Sequence, residues 1–169
     1  NLNKIRNYCF INDINSKNSF DFLIKNNFDL VVALNCPQII SKDILNKVDS
    51  DFVNFHPGKL PTYRGVFIPF NCIFNCEKLI SLSFHKIDSG IDTGSLIAEI
   101  SFPIEKNDGI FSLYQKLFSS NKSKYFMLNC IQEYNKIKNN RISTSSLKDK
   151  YYKFPSYFKI LKFKLKIFR

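Results

Sequence analysis

The chain is predicted to fold as one α/β domain, a mainly parallel sheet flanked by helices, and three observations predict it. Short apolar runs rich in β-branched residues alternate with stretches of helical periodicity, so strand, helix and strand recur in order. The run FDLVVAL, ending at Leu34, is continuously apolar after its Asp, as expected of a strand covered on both faces. The 169 residues are 44% hydrophobic and include eighteen Phe, enough apolar material for a single core.

Taken in order, Ile5 to Ile11 reads as a short strand, and Ser19 then opens FDFLIKNN, a helix capped by the Ser hydroxyl. After the FDLVVAL strand, Ser41 with Asp43 caps the helix SKDILNKV. DFVNFH, from Asp51 to His56, is the next strand, stopped by Pro57 and Gly58. A loop containing Pro and Gly leads to a helix near Ile68 to Cys76, then to a strand from Leu79 to Ile87. The turn SGIDTG feeds SLIAEISFPI, expected to be an antiparallel edge. Asn107 or Asp108 caps a long helix with Leu113, Leu117, Tyr125, Leu128 and Ile131 among its apolar positions and an interruption near Ser119 to Ser123. The core thus covers residues 1–138, a polar linker 139–150, and a basic tail 151–169. Phe163, Leu165 and Ile167 alternate with Lys as in a strand, whereas Phe158, Leu161, Leu165 and Phe168 are spaced as in a helix. The Lys-rich composition and Pro155 near the start favour the helix.

The net charge of +11 raises nucleic acid or an anionic membrane surface as a partner, but six of those charges fall within the tail, leaving a mildly basic body of +5. The five Cys are odd in number and lie mostly in apolar runs, which predicts buried free thiols in a reducing cytoplasm. Cys72 and Cys76 stand four apart, but no second Cys or His pair has the spacing to complete a zinc site, so no metal is expected. Charge or Asn interrupts every apolar run before the roughly twenty residues of a bilayer span, and no signal-peptide pattern opens the chain. A cytoplasmic protein is expected.

Ligands of parallel α/β sheets collect beyond the carboxyl ends of the strands. Asn54 and His56 stand at such an end, and their spacing of two turns both side chains to one face. Asp92 lies in the turn after a neighbouring strand, where Gly90 and Gly94 let the backbone bring its carboxylate to the same crevice. Each residue also has an ordinary structural reading. Asn54 can satisfy turn backbone, Asp88 and Asp92 can be turn formers, His85 can be a satisfied core histidine, and Arg64 a surface charge.

These residues, taken together, resemble the folate-dependent formyltransferases, which include glycinamide ribonucleotide, methionyl-tRNA and amino-sugar formyltransferases. NFHPGKLPTYRG looks like the family's Asn-x-His-Pro segment and Leu-Pro-x-x-x-Gly loop, and HKIDSGIDTG like its Asp-loop. The 36 residues from His56 to Asp92 fit the family spacing. DLVVALNCPQIIS resembles the strand and loop lining the folate pterin pocket, KNDGIFSLYQKL the helix after the last strand, and YYKFPSYFKI a C-terminal portion. The resemblance implies a Rossmann-like sheet lacking its first two strands, because complete members carry an additional strand, helix and strand before the segment where this chain begins.

It also implies the chemistry. The co-substrate is 10-formyltetrahydrofolate, with no metal or redox cofactor, and Asn54, His56 and Asp92 are the catalytic residues. Moving a formyl group from a folate nitrogen to a neutral amine passes through an oxyanion, which the uncharged amide of Asn54 would stabilise by donation. His56 would donate to the same oxygen or shuttle a proton, and Asp92 would hold His56 in one protonation state and accept the amine's proton. Pro37, Gln38, Ile39, Ile40, His85, Asp88 and Gly90 are expected at the folate, and Tyr63 and Arg64 at the acceptor, where Arg64 would hold a phosphate or carboxylate. The LPTYRG loop looks closer to the methionyl-tRNA and amino-sugar branches, and a tRNA-binding domain on the order of a hundred residues has no room after this core. A nucleotide-linked amino sugar is therefore the expected acceptor. The alternatives are a methionyl-tRNA or glycinamide ribonucleotide formyltransferase-like enzyme, or a non-catalytic relative whose basic tail docks on RNA or an anionic membrane surface.

Overall fold

The computed structural model describes residues 12–143 and 148–167. Strand β1 (Leu30–Leu34) pairs in parallel with β2 (Asp51–His56), which pairs antiparallel with β4 (Leu79–Lys86), which in turn pairs antiparallel with the edge strand β5 (Leu96–Pro103). The four strands run in the order β1-β2-β4-β5, and a separate two-stranded sheet joins β3 (Arg64–Gly65) to β6 (Tyr151–Tyr152). The α/β, Rossmann-like class is as expected, with β1 and β2 as the parallel pair of the four-stranded sheet and β3 and β6 pairing in parallel beside it. The link from β2 to β4 shows why β4 runs antiparallel. It carries only the seven-residue α3 (Ile68–Phe74), short for the crossover a parallel strand needs, so the chain re-enters the sheet from the end at which β2 left it.

Helices cover both faces of β2. Val53 and Phe55 point into the larger core, where Phe55 stacks on Phe84 with ring centroids 4.6 Å apart, beside Leu82, Ile97, Leu113 and Leu117. Burying a side chain such as Phe55 contributes about 1.5–3 kcal/mol. Phe52 points the other way, into a second cluster with Leu23 of α1 (Lys17–Asn26) and Ile44 of α2 (Lys42–Lys47). By the same alternation Asn54 and His56 share the Phe52 face, so the two-residue period that builds the core also aims the polar pair.

The elements agree with the sequence reading except at several ends and faces. Helix α2 is capped by Ser41 as expected, but α1 is capped by Ser16, while Ser19 is buried inside it and donates its hydroxyl to the Asp13 carbonyl at 2.6 Å. Helix α4 (Ile110–Ser119) has Gly109 as its N-cap rather than Asn107 or Asp108, because the Asp108 carboxylate is occupied by the Glu105 N–H and the Ser112 hydroxyl. The interruption falls at Ser120, which caps α5 (Asn121–Gln132). That break resets the helical phase, so Phe126, Met127 and Cys130 turn inward while Tyr125, Leu128 and Ile131 are exposed, against expectation. Strand β1 is half-buried rather than covered on both faces, being an edge of the described sheet. Of the four described cysteines, Cys72 and Cys130 are buried and Cys36 and Cys76 exposed.

A short α6 (Tyr134–Ile137) follows α5. The tail forms the helix α7 (Tyr157–Ile167), so its helical spacing prevails over the strand-like alternation. The strand expected from Ile5 to Ile11 lies outside the described residues. No described helix is long and apolar enough to cross a membrane.

Candidate active site

His56 and Asp92 meet from opposite directions. Because β4 runs antiparallel to β2, Lys86 at its end faces Val53, three residues short of His56. The following loop folds back along β2, and Asp92, at a left-handed φ of 52°, brings one carboxylate oxygen to 3.5 Å from His56 Nδ1 and the other to 3.7 Å from His85 Nε2. The crevice is therefore closed by a returning loop rather than by two neighbouring strand ends. A non-glycine residue at positive φ is uncommon, Asp and Asn being the side chains that tolerate it best.

The tautomers follow from the carbonyls. His56 Nε2 lies 2.6 Å from the Tyr63 carbonyl, which can only accept, so Nε2 carries the proton and Nδ1 presents its lone pair to Asp92. His85 Nδ1 lies 2.8 Å from the Lys86 carbonyl, so His85 is protonated on Nδ1 and its Nε2 accepts from the Asn54 amide nitrogen at 3.2 Å. The register that sets Asn54 opposite His85 creates this last bond. It fixes the Asn54 amide, leaving its second N–H free and its carbonyl oxygen buried without a partner among the described residues.

Both imidazoles are neutral near pH 7. Burial lowers the pKa of His56 below 6.5, only partly opposed by the nearby Asp92 and the Tyr63 carbonyl. Burial, then the neighbouring His56, lowers that of His85 to about 4 against the attraction of Asp92. Asp92 is anchored by a 2.8 Å hydrogen bond from the Gly65 N–H. Gly58 matters for close approach: a Cβ there would stand 2.5 Å from the Tyr63 carbonyl oxygen and 2.8 Å from His56 Nε2, in the path of their hydrogen bond.

The three residues stand at one wall of a cleft of about 670 Å³. Pro37, Gln38, Ile39, Ile40, His85, Asp88 and Gly90, read in the sequence as the folate contacts, all line it. Asp88 also shapes the Asp92 loop, accepting from the Gly90 N–H at 3.0 Å and from the Thr93 hydroxyl. His85 belongs to the cluster itself, hydrogen-bonded to Asn54. The residues read as acceptor contacts are placed elsewhere. The Tyr63 ring is in the core, stacked on Tyr152, with its hydroxyl donating to Glu77 at 2.6 Å; its backbone carbonyl is what reaches His56. Arg64 points away from this cleft toward a smaller one, where it binds Asp149 through two hydrogen bonds and donates Nε to the Ile91 carbonyl. Sequence reasoning missed the aromatic side of the cleft, made by Phe67, Tyr114, Tyr151 and Phe154. The YYKFP segment, noted only as a family likeness, was the one local signal for two of these.

Fold and site define an α/β cleft protein in which an Asn, a His and an Asp converge at the cleft wall. The chain belongs to the formyl transferase family, whose profile matches residues 13–128. It is 37% identical over 83 residues to a methionyl-tRNA formyltransferase from Pelobacter propionicus, an alignment taking in 48% of this chain and 26% of that one. It resembles the structure of the N-formyltransferase from Helicobacter canadensis in complex with folinic acid and dTDP-3-aminofucose, with a TM-score of 0.62 and 30% identity over 72% of this chain and 44% of that one. It likewise resembles WlaRD, a sugar 3N-formyl transferase solved in the presence of dTDP and 5-N-formyl-THF, with a TM-score of 0.63 and 29% identity over 77% and 47% of the two chains. The chain spans less than half the length of each of these relatives.

Proposed function

We propose that this chain carries the catalytic site of a 10-formyltetrahydrofolate-dependent N-formyltransferase acting on a primary amine, that of a nucleotide-linked amino sugar. One observation carries the reading: Asn54 and His56 from one strand and Asp92 from a loop 36 residues beyond His56 share one wall of the cleft lined by all seven residues expected at the folate. The cleft fits such a ligand in size, since pockets for small molecules hold about 300–1,000 Å³. The buried, unpartnered Asn54 carbonyl oxygen fits it in chemistry, as an acceptor facing a donor such as an amine N–H.

The folate would supply a formyl carbon whose oxygen gathers negative charge as the amine attacks. Residues 37–40 with Asp88 and Gly90 hold the ligand against the cluster, beside His85. Asn54, oriented by His85, offers its free N–H toward the developing charge. His56 has committed Nε2 to the Tyr63 carbonyl, so its part is proton transfer through Nδ1 rather than donation to the oxyanion. Asp92, facing that lone pair, is the acceptor for the amine's proton.

A sugar-nucleotide acceptor is supported by the two sugar formyltransferase structures and by the aromatic side of the cleft, where Phe154 stacks on Phe67. The buried thiols of Cys72 and Cys130 suit a reducing cytoplasm. The test is calorimetric titration of the full-length protein with 5-formyltetrahydrofolate, followed by transfer from 10-formyltetrahydrofolate to dTDP-amino sugars and to charged methionyl-tRNA. Failure to bind folate would sink the enzyme reading, and transfer to the tRNA alone would sink the sugar acceptor.

A further inference from the structure

One short stretch, residues 63–65, holds both proton-handling groups. The Tyr63 carbonyl accepts from His56 at 2.6 Å, and the Gly65 N–H donates to Asp92 at 2.8 Å. This stretch takes no part in the four-stranded sheet. Its strand partner is β6, far along the chain. The Arg64 N–H donates to the Lys150 carbonyl at 3.0 Å, the Val66 N–H to the Tyr152 carbonyl at 2.9 Å, and the Lys150 N–H to the Pro61 carbonyl at 3.1 Å.

Side chains reinforce this pairing. Tyr63 and Tyr152 stack with centroids 5.0 Å apart and rings 7° from parallel, and the Asn75 amide donates to both phenol oxygens at 2.9 Å. Arg64 grips Asp149 with two hydrogen bonds of 2.9 and 2.8 Å, and Phe154 stacks on Phe67 with centroids 5.0 Å apart. The approach is so close that Gly65, at φ 98°, admits no side chain: a Cβ would stand 2.2 Å from the Tyr152 carbonyl oxygen.

We infer that residues 149–154 are an intramolecular clasp that sets His56 and Asp92 in working geometry, with Tyr152 and Asp149 as positioning residues; this rests on the formyltransferase reading of the site. When the clasp opens, β3 draws back, and His56 loses its acceptor in the same movement that costs Asp92 its donor. The folate side of the cleft, residues 37–40 with Asp88 and Gly90, is not paired to the clasp and keeps its place. The basic tail is then part of the catalytic machinery rather than an appendage behind a linker.

The test uses Tyr152→Leu, which removes the stack, and Asp149→Lys, which opens the clasp from its exposed side without touching the core. Misplacing a catalytic group by about 1 Å costs about 100-fold in rate, so Tyr152→Leu is expected to lower kcat by about 10- to 100-fold with folate affinity unchanged. Asp149→Lys should lose less, and Tyr152→Phe, which keeps the stack, should recover most of the rate. A second readout needs no turnover. The chain has two histidines, and NMR titration of their rings should show the His56 pKa rising toward 6.5 in Tyr152→Leu as its burial is relieved. This readout separates failure of the clasp from failure of the formyltransferase reading, because it holds for a protein that transfers nothing. Folded Tyr152→Leu with an unmoved His56 titration and wild-type kcat overturns the clasp. Should Tyr152→Leu not fold, an unmoved His56 titration in Asp149→Lys overturns it instead.

Discussion

Replacing His85 by Gln should flatten the acid side of the protein's stability curve. His85 is 2% exposed, and both ring nitrogens are used inside the fold, Nδ1 as donor to the Lys86 carbonyl and Nε2 as acceptor from Asn54. A second proton would displace the Asn54 bond and place a charge beside His56, which is why burial and His56 hold the pKa at about 4. In the unfolded chain the ring takes its proton near pH 6.5. Above pH 6.5 both states are neutral and the group exacts nothing. Below it the unfolded state binds the proton first, so folding weakens by about 1.4 kcal/mol per pH unit until the folded ring also protonates near pH 4. The full loss is about 3 kcal/mol, a large fraction of the roughly 5–15 kcal/mol that holds a domain together. Gln does not titrate, and its carbonyl oxygen can replace Nε2 as the acceptor for Asn54. Urea unfolding of both proteins from neutral pH down to about pH 4 cancels the carboxylates common to them. Wild type should lose about 3 kcal/mol relative to His85→Gln over that range. Parallel curves would refute the assignment of a buried neutral His85.

Asp92→Asn keeps an oxygen to accept the Gly65 N–H but cannot take a proton. Transfer should fall by about 100- to 10,000-fold while 5-formyltetrahydrofolate still binds, and an active variant would show the proton acceptor to be misassigned. Asn54→Ala removes the donor proposed to face the formyl oxygen. Its kcat should drop by about 100- to 1,000-fold, or about 2.7–4 kcal/mol, and a kcat near wild type in steady-state assays would remove Asn54 from the chemistry. Gly58→Ala drives a methyl group between the Tyr63 carbonyl and His56. It should cost about 1–3 kcal/mol of stability in urea melts and lower kcat without weakening folate binding; an undisturbed kcat would mean that the His56 anchor is dispensable.

The parts of the molecule legible in the sequence are those written in local pattern. The alternation in DFVNFH and the stop at Pro57 gave β2 its bounds, and with them the shared face of Asn54 and His56. Ser41 marked α2 because its hydroxyl caps the helix within the same turn. What escaped depends on contacts between distant segments. The hydrogen bond that makes His85 a partner of Asn54 exists only through the β2–β4 register, which no window along the chain contains. The pairing of Arg64 and Gly65 with Tyr151 and Tyr152 is two residues long and joins segments about half the chain apart, so neither strand had a periodicity to detect. Tyr63 and Arg64 were read by residue type as substrate contacts, whereas what reaches His56 and Asp92 is the Tyr63 carbonyl and the Gly65 N–H. The inward face of α5 was misread because the cap at Ser120 turned the helical phase, and a single residue's cap outweighs a pattern extrapolated across it.

The cluster is best understood as a deficit of one proton. Asp92 is faced by the lone pairs of two neutral imidazoles, at 3.5 Å from His56 and 3.7 Å from His85, an arrangement with acceptors on both sides and no donor between them. Were His56 protonated at rest, it would pair with Asp92 and neither could receive anything. Burial prevents that by holding His56 neutral, and the Tyr63 carbonyl prevents the ring from turning its one N–H toward the carboxylate. On the proposed function the amine sheds a proton as it is formylated, and a proton taken up between Asp92 and His56 would turn a repulsive contact into an ion pair or a short hydrogen bond. The clasp acts on this balance as well as on distance. It supplies both the carbonyl that fixes the His56 tautomer and the N–H that steadies the Asp92 carboxylate, so the 63–65 stretch determines where the proton is missing and β6 determines where that stretch lies.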